Sequence, residues 1–353
     1  MKFLLAAALL VACGKHDQAP PAPTKTEAPK HDVTSEDVTF KTKAGDDVPG
    51  TLVKPNKGPA KLPAIVMFQG SGPTDRDWGS RMLKSDKTPS GKLLAEELAL
   101  HDVIVLRFDK AMVGGNKSSL ANQTIDIYRD EAQAALAYLR TRPDVDPAKL
   151  YVLGHSEGGV HVMRTAIAEG DQLHGVMLIS TSGRTLHALL ISQVSAKLDQ
   201  VAPSMKDGIL GPFKQALDDF AAGKPIDPKK ASVDPGLQML LAGIATPPYD
   251  QLGRSLLEFD PIATVQQVKQ PILIVNGDHD AQVDATLDAK ALDGAARTSN
   301  KDVTLVIAPG DSHMLRPEPR SIADQVKNPL GGTESDDIDP AIVTAIADWL
   351  AKH

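Results

Sequence analysis

The sequence predicts an α/β fold: a mostly parallel central sheet flanked by helices, with a helical cap inserted between two strands. Three observations carry this. From residue 63 onward, short continuous apolar runs alternate with longer stretches of helical period, as expected of strands buried on both faces and joined by crossover helices. One run, Leu-Tyr-Val-Leu-Gly-His-Ser-Glu-Gly-Gly-Val from Leu150 to Val160, reads as a strand turning abruptly into a helix with a serine at the corner. Between Ser182 and Gln270 the alternation stops and apolar stripes at helical spacing take over, broken by Pro and Gly.

At 353 residues, with 42% apolar and 24% charged residues, the chain has the composition of a globular protein with a sizeable core. A net charge of -7 without a basic tract gives no footprint for nucleic acid. The single cysteine, Cys13, excludes an intramolecular disulfide. Its place is informative. Lys2 precedes an apolar run over 3–12 that ends Leu-Val-Ala-Cys. As a helix that run would span roughly 15 Å, half a bilayer core, so residues 1–12 read as a cleaved signal peptide. Leu10-Val11-Ala12-Cys13 resembles the bacterial lipobox, which implies lipidation of Cys13 and an exported lipoprotein anchored to a bilayer, on the periplasmic or cell-surface side. Gly14 lacks the aspartate that favours inner-membrane retention, which points to the outer membrane where there is one.

Residues 13–35 carry Pro20, Pro21, Pro23 and Pro29 among small and polar residues, too little apolar surface to offset ordering, and read as an extended tether. The core is assigned to 36–181 and 271–353. Alternation at Val38 and Phe40, then over 48–53, flanks the turn Ala44-Gly45-Asp46-Asp47 and predicts an antiparallel hairpin. Strands follow at 63–68, 103–108, 150–153, 175–180, 271–276 and 303–307, with helices over 93–100 and 125–140. A last helix covers 340–350, with Asp339 placed to cap it and Pro340 at its first position. The cap is assigned to 182–270, with stripes at Leu186, Leu189, Leu190 and Val194, at Ile209, Phe213, Leu217 and Phe220, and at Leu237, Leu240 and Leu241.

Gly154, Ser156 and Gly158 spell G-x-S-x-G. The motif counts through its context, a strand before and a helix after, because a serine thrust out on a tight turn needs neighbours without side chains. Ser156 is the candidate nucleophile, and a serine hydroxyl needs a base to take its proton. Among ten histidines, His16 and His31 lie in the tether, and His101 and His174 precede strands. His155 is read as pointing away from Ser156, His161 lies on the following helix, His187 in the cap and His353 at the terminus. His313 follows the last strand, at the carboxyl edge where a base belongs. His279, beside two aspartates, is the rival. The carboxylate must come from the turn after 271–276, where Asp278 and Asp280 compete. The order serine, acid, histidine matches a hydrolytic triad.

With these pieces in place, residues 37–352 resemble an α/β-hydrolase of the bacterial serine esterase and peptidase-like group. The resemblance rests on Gly154-His155-Ser156-Glu157-Gly158, Gly277-Asp278-His279-Asp280 with Gln282-Val283, and Ser312-His313. It extends to Gly70-Ser71-Gly72-Pro73-Thr74-Asp75-Arg76-Asp77, similar to G-S-G-P-x-D-R-D, and Arg107-Phe108-Asp109-Lys110, similar to R-[YF]-D-K. It implies Asp280 rather than Asp278 as the acid, and an oxyanion hole from the backbone N–H groups of Ser71 and Glu157. Asp75-Arg76-Asp77 reads as an ion-paired brace. Ala111-Met112-Val113-Gly114-Gly115 departs from the group's R-G-x-G.

The expectation is a serine esterase for small or medium acyl substrates, using no cofactor and no metal. A peptidase, aminopeptidase or thioesterase on the same fold is the alternative. An aminopeptidase needs an acidic group near the site, for which Asp218, Asp219 and Glu258 are available. A lipoprotein that only binds is the alternative from another class.

Overall fold

The computed structural model describes residues 32–79, 87–329 and 335–353. The expected signal peptide, Cys13 and the tether as far as residue 31 lie outside the described residues. The described chain opens with a hairpin, β1 (Val33–Lys41) and β2 (Asp47–Pro55), paired from Val33 with Pro55 to Lys41 with Asp47. Strand β1 therefore begins inside the segment assigned to the tether. Thr34, Ser35, Glu36 and Asp37 are all exposed, so nothing there alternates, and only buried Val33 marks the start.

Next come β3 (Leu62–Phe68), α1 (Ser90–Ala99), β4 (Ile104–Phe108), α2 (Asp126–Arg140), β5 (Val145–His155), α3 (Gly158–Glu169) and β6 (Gly175–Ile179). Six helices follow without a strand: α4 (Leu186–Val201), α5 (Lys206–Ala221), α6 (Pro228–Ala231), α7 (Pro235–Ala245), α8 (Asp250–Glu258) and α9 (Pro261–Val265). The chain then returns to the sheet with β7 (Ile272–Gly277), α10 (Lys290–Ala296), β8 (Val303–Ala308), α11 (Ile322–Lys327) and α12 (Pro340–Lys352).

One eight-stranded sheet results, in the order β1-β2-β4-β3-β5-β6-β7-β8. The β1–β2 and β2–β4 pairs are antiparallel and all the others parallel. Alternation along β3 shows how both faces are covered. Ala64, Val66 and Phe68 pack with residues of α2, α3 and α10, whereas Ile65 and Met67 pack with α1 and α12. The helices from α4 to α8 bury a cluster of their own, built on Leu190, Leu198, Phe213, Leu217, Phe220, Leu237, Leu241 and Leu257. Four helices begin on the same pair, an Asp N-cap followed by Pro: α6 on Asp227, α7 on Asp234, α9 on Asp260 and α12 on Asp339. The carboxylate accepts an otherwise orphaned N–H, and the proline occupies a position whose N–H would be unpaired anyway.

Candidate active site

At the end of β5 the backbone of Ser156 enters the left-handed region, with φ of +56°. Such a conformation costs a non-glycine residue about 1–3 kcal/mol. The turn is held by the Ser156 N–H, which donates to the carbonyl of Ile179 at the end of β6 (2.9 Å). Glycine on both sides is a steric necessity: a Cβ on Gly154 would lie 2.3 Å from the Gly158 carbonyl oxygen, and one on Gly158 would lie 2.5 Å from that of Phe68. Ser156 is partly exposed at the floor of a cleft that Ser71 and Glu157 also line. Among the described residues, neither the Ser71 nor the Glu157 backbone N–H donates a hydrogen bond. Two unspent donors thus flank the serine.

His313 follows β8, and its Nδ1–H donates to Asp280 Oδ2 at 2.8 Å. A carboxylate only accepts, so this contact puts the proton on Nδ1 and leaves Nε2 as the free acceptor. Asp280 is fixed in turn: its Oδ1 accepts the N–H groups of Gln282 (2.8 Å) and Val283 (2.9 Å). Asp278 takes no part, since its Oδ1 accepts the Gly310 N–H at the surface (2.6 Å). His279, the rival base, donates from Nδ1 to the Glu318 carbonyl instead (2.8 Å). The Ser156 and His313 side chains are not hydrogen-bonded to each other, a contact that commonly tightens only around substrate.

His155 has a part in the site that its place in the sequence does not show. It is buried, its ring stacks on Trp78 (centroids 4.4 Å apart), and its Nε2–H donates to the His313 carbonyl (2.9 Å). The residue before the serine therefore holds the loop that carries His313. Burial pushes its pKa down to about 3, helped by neighbouring His313, so it stays neutral. Beneath the floor, buried Lys110 donates from Nζ to the Gly70 carbonyl (2.6 Å). Asp75-Arg76-Asp77 forms ion pairs as expected of a brace: Arg76 with Asp109 (2.7 Å) and Asp77 with Arg107. In the divergent loop, the N–H of Gly115 donates to the same Asp109 carboxylate (2.8 Å).

The walls above the serine are aliphatic and aromatic: Leu186 and Leu189 of α4, Leu256 of α8, then Phe259 and Pro261. Arg184 also reaches the cleft, but its guanidinium is bound bidentately by Asp288 (2.9 and 2.6 Å). None of the acidic residues considered for an amine site lines the cleft. Asp218 is paired with Lys214 and His187, Asp219 with Lys224, and Glu258 is exposed. Among the described residues no group of three or more His, Cys, Asp or Glu could hold a metal ion.

A family model described as the alpha/beta hydrolase family matches residues 65–325. Esterase EstD of Thermotoga maritima is 26% identical over 340 residues, covering 93% of this chain and 72% of the relative. Among solved structures, esterase Pf2001 of Pyrococcus furiosus superposes with a TM-score of 0.53 at 14% identity, over 95% of this chain and 99% of that one. Est1E of Butyrivibrio proteoclasticus with bound ferulic acid gives 0.53 at 20% identity, over 83% and 98%. The structural likenesses speak to the fold alone.

Proposed function

The chain belongs to the alpha/beta hydrolase family, and from that premise we propose that it is a serine esterase in which Ser156, His313 and Asp280 act as nucleophile, base and acid. The observation that carries this is the Asp280–His313 hydrogen bond, on a loop pinned by His155 beside a serine held at positive φ. In the proposed reaction His313 Nε2 takes the proton as Ser156 Oγ attacks the ester carbonyl. Asp280 stabilises the imidazolium without itself becoming protonated. The N–H groups of Ser71 and Glu157 receive the oxyanion, a donor of this kind contributing about 10²–10³ in rate. The proton then passes to the departing alcohol, and a water activated by the same imidazole hydrolyses the acyl-serine. The apolar walls support a small or medium acyl group. An ester is favoured over an aminoacyl amide because none of the acidic residues weighed for an amine site lines the cleft. The name of the Thermotoga maritima relative supports the same reading.

The test is labelling with a fluorophosphonate probe beside a panel of esters of graded acyl length and aminoacyl amides. Wild type should be labelled and turn over esters, and Ser156→Ala should do neither. Labelling that survives the substitution removes Ser156 as nucleophile, and turnover of amides without matched esters removes the esterase reading. We also propose that Cys13 carries a lipid anchor, motivated by the lipobox-like run. A single chain anchors only marginally whereas several hold firmly. The wild type should incorporate labelled fatty acid and Cys13→Ser should not. Absence of label from the wild type removes the anchor.

A further inference from the structure

We infer that Lys110 is a positioning residue of the oxyanion hole, acting through the peptide group that joins Gly70 to Ser71. The inference rests on the reading of Ser156 as nucleophile and of the Ser71 N–H as one of its oxyanion donors. That N–H and the Gly70 carbonyl are two ends of one conjugated amide. Lys110 Nζ donates to the carbonyl end at 2.6 Å, while the N–H end is unspent among the described residues and lines the cleft. A charged donor at the oxygen draws density from the nitrogen, so the N–H at the other end becomes a stronger donor. It also fixes the plane. In the segment Gly70-Ser71-Gly72 the Thr74 hydroxyl donates to the Ser71 carbonyl (2.8 Å) and so holds the next amide, while Lys110 holds this one.

An ordinary core lysine does not account for this arrangement. Lys110 is 2% exposed, and a buried ammonium is retained at a cost unless partners surround it. Its partners converge on both donor residues: Gly70 O belongs to the Ser71 amide, and Glu157, whose N–H is the other donor, has Oε1 4.0 Å from Nζ. The Tyr128 ring centre lies 5.5 Å away, and the Glu131 carboxyl, pushed up to about 8 by burial, completes the cluster as a neutral group. Burial pushes the Lys110 ammonium down, against the pull of Glu157. Burial also pushes the Glu157 carboxyl up, but His161 (3.3 Å) and Lys110 outweigh it and hold it below the usual range. One buried cation therefore orients two separate loops that supply the two donors.

Lys110→Met keeps the length of the side chain and removes the donor. Removing an oxyanion donor outright costs about 10²–10³, so weakening one through its carbonyl should lower kcat by about 10–100-fold. KM for the same ester should change by less than about threefold, because the interaction is made mainly in the transition state. A trifluoromethyl ketone, whose serine adduct places an oxyanion in the hole, should lose affinity by the same factor as kcat/KM. Glu131→Gln, which disturbs the same buried cluster without touching Gly70, should keep both quantities. If Lys110→Met does not fold, Lys110→Met with Glu157→Gln leaves no unbalanced charge and keeps both backbone donors. An unchanged kcat, or a lower kcat with undiminished ketone affinity, overturns the inference and leaves the esterase reading intact. If wild type and Ser156→Ala are equally active or equally inactive on esters, the reading of the site falls, and this inference with it.

Discussion

Gly154 and Gly158 show why a serine at positive φ needs its neighbours. The Cβ that Gly154→Ala would add meets backbone, not the yielding end of a side chain. That variant is expected to lose activity through a displaced Ser156, and it should be read by fluorophosphonate labelling rate against thermal melting. The two aspartates after β7 separate as cleanly. Asp280→Asn should lower kcat by about 10⁴, because an amide cannot hold Nδ1 protonated and the imidazole takes the wrong tautomer. Asp278→Asn, whose amide oxygen can still accept the surface Gly310 N–H, should leave kcat within about tenfold. The reverse ranking in steady-state kinetics would reassign the acid. The spacing in sequence placed Asp280 and His313 on adjoining loops, and the structure brings them to 2.8 Å. His155 and Lys110 stand in motifs the sequence offers, but no role for either, or for Trp78, was legible there. Their contacts run to residues 158, 77 and 40 positions away, and neither period nor a motif read by itself names a partner at that distance.

Among the elements, the strands were the most legible, because burial on both faces leaves an unmixed apolar run. Helix starts were legible where the cap is local: the pair Asp339-Pro340 marked α12, and Asp227-Pro228, Asp234-Pro235 and Asp260-Pro261 carried the same signal unread. Strand β1 was legible only from Val38, since its first half faces solvent. The role of the helices between β6 and β7 depends on which side chains turn toward the cleft. Leu189 of α4 and Leu256 of α8 do so, on elements some 60 residues apart in sequence that only the fold brings to one wall. Leu189→Trp narrows that wall and should shift preference toward the shortest acyl groups. The loss of kcat/KM should grow with chain length, since each buried methylene contributes about 1–3 kcal/mol in such a pocket. A uniform loss across acyl lengths would place the acyl group elsewhere in the cleft.

For the whole molecule, two buried residues on the two sides of the sheet pull stability in opposite directions with pH. Burial, then neighbouring His313, pushes His155 from its ordinary 6.5 to about 3. Between those values the unfolded chain binds a proton that the folded chain refuses, so this contribution is lost as pH falls from about 6.5 toward 3. Burial pushes the Glu131 carboxyl from 4.5 to about 8, against hydrogen bonds from Asn116 and Ala111. There the folded chain keeps a proton that the unfolded chain has released, so stability is lost as pH rises from about 4.5 to 8. Asp311, pushed up to about 7 by burial and then by Asp339, acts in the same sense as Glu131. Each such proton contributes a slope of at most about 1.4 kcal/mol per pH unit. The slopes oppose one another between about 3.8 and 6.5; above 6.5 the raised carboxyls act alone, and in acid the imidazole is joined by the depressed carboxylates of Asp126, Asp144 and Glu157. Urea unfolding at a series of pH values separates them. Glu131→Gln, which mimics the protonated carboxyl, should flatten the decline between pH 7 and 8 and leave the acid limb as it was. His155→Phe, which keeps a ring against Trp78, should be less stable throughout yet show a shallower slope between about pH 6.5 and 4, the remaining acid loss coming from the depressed carboxylates. Parallel curves for wild type and Glu131→Gln above pH 7 would show that Glu131 is ionised in the folded chain. Lys110 would then face two buried carboxylates, Glu131 and Glu157, in place of one.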